Sequence, residues 1–289
     1  MRELTDIGYV RELLGRHGTR AKKGLGQNFL VNPSVCPRMA NACGADKDGG
    51  ALEIGCGVGV LTRELSRVAG KVVCVELDAS LFPILDETLE GCENVELVQG
   101  DILKIDLDAL IAEKFGDMPV AVCANLPYYI TTPALMRLLE YGGRFSALTL
   151  MVQKEFAQRL AAKPGSSAYG ALTVSAAYRA KTELLFGVSA GSFFPPPKVE
   201  SAVVRLTPYA EPPVKVKDEA AFFAVVRAAF GQRRKMLPNA LGAVFGKERA
   251  LAALNAAGVA PTARGETLDV VKFAAIADAI ADELPAEPA

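Results

Sequence analysis

Asn125 ends the apolar run "VAVCA" (120–124) and opens "NLPYYI" (125–130), placing an amide, a proline and two tyrosines at the tip of a strand. These residue types suit the methylation of an aromatic amine. An amine nitrogen that attacks a methyl group needs its lone pair, which in adenine is delocalised into the ring. Accepting both N–H hydrogens draws that nitrogen toward tetrahedral geometry, and the Asn125 side-chain oxygen and the Leu126 carbonyl are suitable acceptors. Pro127 stiffens the turn and has no N–H of its own. Tyr128 is placed to stack on the base, a contact worth about 1–3 kcal/mol. No strong base is required, because the methylated ammonium is itself acidic. Rate then comes from in-line placement, with reacting atoms about 3–3.5 Å apart. Taken alone, the stretch is also compatible with a proline turn that buries its aromatics.

A second set of groups begins at "EIGCGVG" (53–59), between a strand and a helix. Glycine loops in that context bind the polar end of nucleotide-like ligands. The register Gly55, Gly57, Gly59 puts Val60 where a dinucleotide fingerprint would have its last glycine. Glu53, just before the loop, would repel a pyrophosphate but suits a cationic ligand. S-adenosylmethionine, with its sulfonium and ammonium groups, is such a ligand. At the end of the next strand, Glu76 is positioned to accept both ribose hydroxyls of an adenosine. Asp101, at the tip of the strand after that, is an acceptor for the adenine amine. A packing turn would explain the glycines alone but not the carboxylates at successive strand ends.

Residues spaced in this way need strands that end along one edge. Apolar runs at 51–54, 71–76, 95–101, 118–127, 147–153, 171–178 and 201–208 predict strands, and helical spacing predicts helices at 60–69, 79–89 and 107–115. Pro83 is tolerated only near the start of the second helix. Strands alternating with helices of about ten residues imply a mostly parallel sheet covered on both faces. The proline-rich stretch 207–218 reads as a linker. Beyond it only helices are predicted, at 219–230, 247–258 and 266–284, with Asp218 capping the first. The expected architecture is α/β: a Rossmann-like class I S-adenosylmethionine-dependent methyltransferase domain with a basic N-terminal extension (1–208), plus a small all-helical C-terminal domain (209–289) that contacts RNA. The final "AEPA" is expected to fray.

Composition sets limits on partners. The chain has 289 residues, a formal net charge of −1 and one histidine, His17, so a nucleic-acid partner must use a local patch. Basic residues gather at "RHGTRAKK" (16–23), which includes Lys22 and Lys23, and at Arg233, Arg234 and Lys235, with Arg227 upstream. Each cluster alone is also what a solvated face looks like; together they favour a local RNA footprint. The six cysteines form no C-x-x-C pair, which predicts reduced, mostly buried thiols, no metal site and a cytoplasmic setting. Without an apolar signal core or a long apolar run, no membrane role is expected. The run "FFPPPK" (193–198) is rigid, since prolines join neither ladder nor helix. It carries Phe193 as a possible wall opposite Tyr128, and Lys198 as a candidate phosphate contact.

The set "KKGLGQNFL" (22–30), "EIGCGVGVLT" (53–62), "VELD" (75–78), "GD" (100–101), "ANLPYYITTP" (124–133), "YGALTV" (169–174), "FFPPPKVESAVVRL" (193–206), "AFGQRRKML" (229–237) and "RGETL" (264–268) resembles the KsgA (RsmA) family of ribosomal RNA adenine N6,N6-dimethyltransferases. The resemblance runs from about Lys22 to Leu268. It implies transfer of two methyl groups to N6 of each of two adjacent adenosines near the 3′ end of small-subunit RNA, in an immature 30S-type subunit. It also implies that Gln27, Asn28 and Leu30 line the cofactor pocket with Asn125. Asn125, Leu126, Pro127 and Tyr128 would hold the target base, and Phe193 would close on its other face. Pro238 departs from the family's basic or polar residue and is expected to end or kink the basic helix. An Erm-type large-subunit methyltransferase shares these motifs but is typically strongly basic. A non-catalytic assembly factor on the same fold would not need Asn125 and Glu76 intact. A nicotinamide dehydrogenase is disfavoured by the glycine register and by the lack of a histidine near the loop.

Overall fold

The computed structural model describes residues 3–232 and 235–282; Arg233, Arg234 and the terminal "AEPA" lie outside them. The chain falls into two compact units, Met1–Ala157 with Thr182–Pro208, and Gln158–Lys181 with Tyr209–Ala289. Pro208 is therefore one join between the units, while Gln158–Lys181 clusters with the helical unit.

The first unit opens with α1 (Ile7–Arg16), β1 (Phe29–Leu30) and α2 (Val35–Ala42). Strands and helices then alternate: β2 (Gly50–Ile54), α3 (Val60–Val68), β3 (Lys71–Glu76), α4 (Phe82–Thr88), β4 (Val95–Gln99), α5 (Leu107–Phe115), β5 (Val120–Asn125), α6 (Thr131–Glu140), β6 (Phe145–Gln153) and α7 (Lys154–Leu160). Pro83 sits in the first turn of α4, where its missing N–H costs nothing. After α8 (Ala171–Arg179) come β7 (Ala180–Val188), β8 (Phe193–Phe194) and β9 (Ser201–Pro208).

Seven strands form one sheet in the order β4-β3-β2-β5-β6-β9-β7. β2 pairs in parallel with β3 on one side and β5 on the other, and β6 continues the parallel set before β9 pairs antiparallel to it. The chain steps outward from β2 in both directions, so a crevice opens above the carboxyl ends of β2 and β5. Val72, Val73, Val122 and Cys123 are fully buried, which is why these strands read as continuous apolar runs rather than as alternating ones.

One expected strand is a helix. "ALTVSAAY" forms α8 in the second unit. The Thr173 hydroxyl accepts the Gly170 N–H and donates to the Arg159 carbonyl, which fixes its first turn. Val174 and Tyr178 lie four residues apart, on one helical face, in the helical core; the Tyr178 and Phe222 ring centroids are 4.5 Å apart. Burial of that stripe overrides the β-branched composition.

The second unit continues with α9 (Glu219–Gly231), α10 (Leu237–Phe245), α11 (Lys247–Ala256) and α12 (Val270–Asp282). Asp218 caps α9 by accepting the Ala220 and Ala221 N–H groups. Pro238 does not end the α9 helix, which has already stopped at Gly231; it starts α10, in whose first turn no N–H is missed. No helix among the described residues is long and apolar enough to cross a membrane.

Candidate active site

The expected cofactor and base residues converge on one cavity in the first unit. Gln27, Asn28, Leu30, Glu53, Gly55, Gly57, Glu76, Asp101, Asn125, Leu126, Pro127, Tyr128 and Phe193 all line it. Gly59 stands behind the wall, where it caps α3 with φ +87°.

The glycine loop owes its shape to left-handed backbone. Gly55, Gly57 and Gly59 have φ of +76°, +58° and +87°, values side chains resist. A Cβ on Gly57 would stand 3.2 Å from the Phe29 ring, while nothing lies within 4 Å of one on Gly55. The loop is thus held tight against β1 and left open above Gly55, a space that suits the aminocarboxypropyl end of an adenosyl cofactor.

Glu76 is 6 % exposed at the end of β3. Its carboxylate accepts the Gly57 N–H at 3.2 Å and the Asp78 N–H at 2.9 Å, so it braces the loop as well as facing the cavity. Burial raises its pKa, against the lowering effect of those two bonds. Glu53 lies deeper. It accepts the Cys74 thiol at 3.1 Å, and burial pushes its carboxyl up to about 7 although bonds from Thr62 and Cys74 oppose the rise. Glu53, Cys56 and Cys74 bring a carboxylate and two sulfurs within 4.8 Å of one another. Burial pushes the Cys56 thiol up to about 11 and Cys74 well above its usual value, so both keep their protons near neutral pH. All six cysteines are free, and only Cys92 is not buried.

Asp101, following β4, accepts the Leu103 N–H at 2.9 Å and so shapes the loop on which it stands. The guanidinium of Arg137, on α6, holds that loop by donating to the carbonyls of Leu103 and Ile105. Nothing in the spacing of the sequence marks Arg137 for this role.

At the end of β5, Asn125 donates through Nδ2 to the Asn28 carbonyl at 3.3 Å. The Leu126 N–H donates to the Met151 carbonyl at 3.2 Å, tying the turn to β6. The Thr131 hydroxyl and the Ile130 N–H both donate to the Pro127 carbonyl, which joins the turn to α6. Tyr128 shares a 2.8 Å hydrogen bond with the Ser201 hydroxyl at the start of β9. Burial pushes the Tyr128 hydroxyl above its usual pKa. Phe193 is 3 % exposed, and β8 pairs with β1 so that Leu30 opposes Phe193. The three prolines that follow lie outside the ladder, as their composition requires.

The basic residues divide. Lys22 is not a free cation: Nζ donates to Asp78 at 2.6 Å and to the Ser80 hydroxyl at 2.9 Å. Lys23, Lys198, Arg227 and Lys235 are exposed. Asp78, which no motif singles out beyond its place after Glu76, is the hub of the Lys22 contact. It is 4 % exposed, and although burial works against its charge, bonds from Lys22, Ser80 and Gln27 pull its pKa down to about 2.

A parallel sheet with a glycine loop after β2, a buried carboxylate ending β3 and an amide ending β5 defines a class I S-adenosylmethionine-dependent methyltransferase. The donor set fits that cofactor: an open glycine cradle at one end, the Glu76 carboxylate in the middle and Asp101 beyond. The ribosomal RNA adenine dimethylase family model matches residues 18–282, and the chain belongs to that family. The ribosomal RNA small subunit methyltransferase A of Geobacillus thermodenitrificans (strain NG80-2) is 45% identical over 285 residues, covering 96% of this chain and 97% of that one. The protein of the same name from Pelotomaculum thermopropionicum is 45% identical over 282 residues, covering 94% and 96%. Among solved structures, a dimethyladenosine transferase from Plasmodium falciparum is similar with a TM-score of 0.74 at 28% identity, over 86% of this chain and 95% of that one. The 23S rRNA methyltransferase ErmE gives 0.69 at 28% identity, over 88% and 100%. The chain is an S-adenosylmethionine-dependent ribosomal RNA adenine methyltransferase.

Proposed function

We propose that this enzyme dimethylates N6 of two adjacent adenosines near the 3′ end of small-subunit (16S) ribosomal RNA, acting in the cytoplasm on an immature 30S-type subunit. The observation that carries the reading is the Asn125 side chain. Its Nδ2 is engaged by Asn28, which leaves Oδ1 as the acceptor offered to the cavity that Glu76 and the glycine loop also line. The bound cofactor supplies an electrophilic methyl on a sulfonium. The chain's own work is to present the nucleophile. Asn125 Oδ1 and the Leu126 carbonyl accept the two amine hydrogens, and Tyr128 offers a ring face to the base. The first methyl leaves one N–H on the amine, so a second transfer needs only one of the two acceptors, which is compatible with dimethylation.

A large-subunit target on the same fold is the alternative. The net charge of −1 and the relatives named for the small subunit both weigh against it. Unmethylated small subunits and large-subunit RNA, incubated separately with enzyme and cofactor, decide the matter by mass spectrometry. The expected result is N6,N6-dimethyladenosine in the small-subunit RNA. Methylation of the large-subunit RNA alone would overturn the assignment.

A further inference from the structure

We infer that Asp78 is a positioning residue: through Lys22 and Gln27 it latches residues 22–30 over the cofactor cavity and thereby holds the Asn28 carbonyl that orients Asn125. The inference rests on the methyltransferase reading of that cavity and adds to it a residue that is not itself part of the cavity lining.

Every group that meets the Asp78 carboxylate is a donor. Oδ1 accepts the Lys22 ammonium at 2.6 Å, the Ser80 hydroxyl at 2.7 Å and the Ser80 N–H at 3.0 Å. Oδ2 accepts Gln27 Nε2 at 2.8 Å. The other end of the Gln27 amide accepts the Lys22 N–H at 2.8 Å. Gln27 is therefore fixed at both ends, and its orientation follows from the charge on Asp78. A further clasp forms where the Thr19 and Ser80 hydroxyls meet at 3.0 Å. From Gln27 the chain runs one residue to Asn28, whose carbonyl accepts Asn125 Nδ2, and two more to Leu30, which opposes Phe193.

Asp78 reaches the cofactor side by its backbone. Its N–H donates to Glu76 at 2.9 Å, and the same Glu76 braces Gly57. One buried aspartate thus joins the end of β3 to the segment whose residues 25–30 line the cavity. A carboxylate is the one group that satisfies this site. In an asparagine, the NH2 end would face either Gln27 Nε2 or the Lys22 and Ser80 donors. Turning Gln27 around would set its NH2 against the Lys22 N–H instead.

That logic gives a test with a rescue. Asp78→Asn should speed amide hydrogen exchange across residues 22–30, weaken S-adenosylmethionine binding about tenfold and lower kcat by a similar factor, the loss of one charge-assisted hydrogen bond. Gln27→Glu alone sets two carboxylates together and should be at least as impaired. The double variant Asp78→Asn with Gln27→Glu restores a donor–acceptor pair, because the glutamate accepts both the asparagine amide and the Lys22 N–H. It should recover most of the exchange protection and of the cofactor affinity. A residue that merely stabilised the fold would shift unfolding without that recovery. If Asp78→Asn fails to fold, Lys22→Met, at a side chain 41% exposed, makes the same comparison. Parent-like exchange and affinity in Asp78→Asn, or a double variant no better than the worse single, would overturn the inference. The exchange and cofactor arms contain no RNA, so they judge the latch even if the parent enzyme leaves small-subunit RNA unmethylated, a result that would sink the proposed substrate instead.

Discussion

Asn125 and Asn28, 97 positions apart, are joined by a hydrogen bond from the Asn125 amide to the Asn28 carbonyl. This bond assigns the amide: nitrogen toward the N-terminal segment, oxygen toward the cavity. Asn125→Ala is expected to lower kcat about tenfold to over a hundredfold, the loss of an acceptor to an amine that becomes charged, while cofactor affinity stays within a few-fold of parent. Asn125→Asp should not rescue it, because an oxygen would then face the Asn28 carbonyl. Single-turnover methylation with calorimetry of cofactor binding separates the two effects, and near-parent turnover in Asn125→Ala would remove the acceptor role.

The Tyr128–Ser201 bond changes what a conservative substitution does. Stacking uses the ring alone, which from sequence predicts a silent Tyr128→Phe. In the structure the hydroxyl anchors that ring to β9 at 2.8 Å. Tyr128→Phe should therefore cost about 1 kcal/mol, roughly fivefold in turnover. Ser201→Ala should match it, and the pair of substitutions should be no worse than either alone. Tyr128→Ala, which also loses the stacking face, should fall about ten- to a hundredfold further. Multiplicative losses in Tyr128→Phe with Ser201→Ala would show that the hydroxyls act separately.

Glu76 both braces Gly57 and faces the cavity. Glu76→Ala is expected to weaken S-adenosylmethionine binding by about 1.5–3 kcal/mol, or roughly tenfold to over a hundredfold. Calorimetry showing unchanged affinity would take Glu76 out of the site.

Glu53 makes a prediction about pH. Burial lifts its pKa from 4.5 to about 7 in the folded chain. Between those values the folded state holds a proton that the unfolded state has released. Stability from this group is therefore full below pH 4.5 and falls as pH rises to about 7, by on the order of 3 kcal/mol. Buried Glu76, also raised, acts in the same direction, whereas Asp78, lowered to about 2, acts only in acid. Glu53→Gln removes the titrating group without a large change of shape. Its urea midpoint should decline less than the parent's between pH 5 and 7; equal slopes would mean that Glu53 ionises normally.

The strand-end half of the cavity was legible because each residue there sits at a strand end marked by composition: Gly55, Gly57, Glu76, Asp101 and Asn125 follow apolar runs and line one cavity. Two kinds of feature were not legible. One is the partner choice of long side chains. Lys22 reads as part of a basic cluster, and only the fold brings Asp78 to it across 56 positions. Ser201 beneath Tyr128 and Arg137 beneath the Asp101 loop are likewise products of chain crossing rather than of local pattern. The other is secondary structure decided by packing. "ALTVSAAY" has strand composition and forms α8 because its Val174–Tyr178 stripe is buried in the helical core. "LPNALGAVF" contains a proline and still forms α10, since the proline falls in the first turn.

Lys22 and Lys23 are adjacent and should behave differently toward RNA. Lys22 is held by buried Asp78, whereas Lys23 is exposed, as are Lys198, Arg227 and Lys235. A lysine that contacts phosphate releases counterions, and each lost contact lowers the log–log salt slope of binding by about 0.7–0.9. Substituting Lys23, Lys198, Arg227 and Lys235 by glutamine, one at a time, should flatten the slope by about that amount for each that meets RNA. Lys22→Met should leave the slope unchanged and instead weaken cofactor binding, because its charge already has a partner inside the fold. Filter binding to small-subunit RNA over a salt series, beside cofactor calorimetry, reads both effects. A flattened slope in Lys22→Met would return that residue to the RNA surface. Parent slopes in all four glutamine variants would show that these cations only solvate the units that carry them.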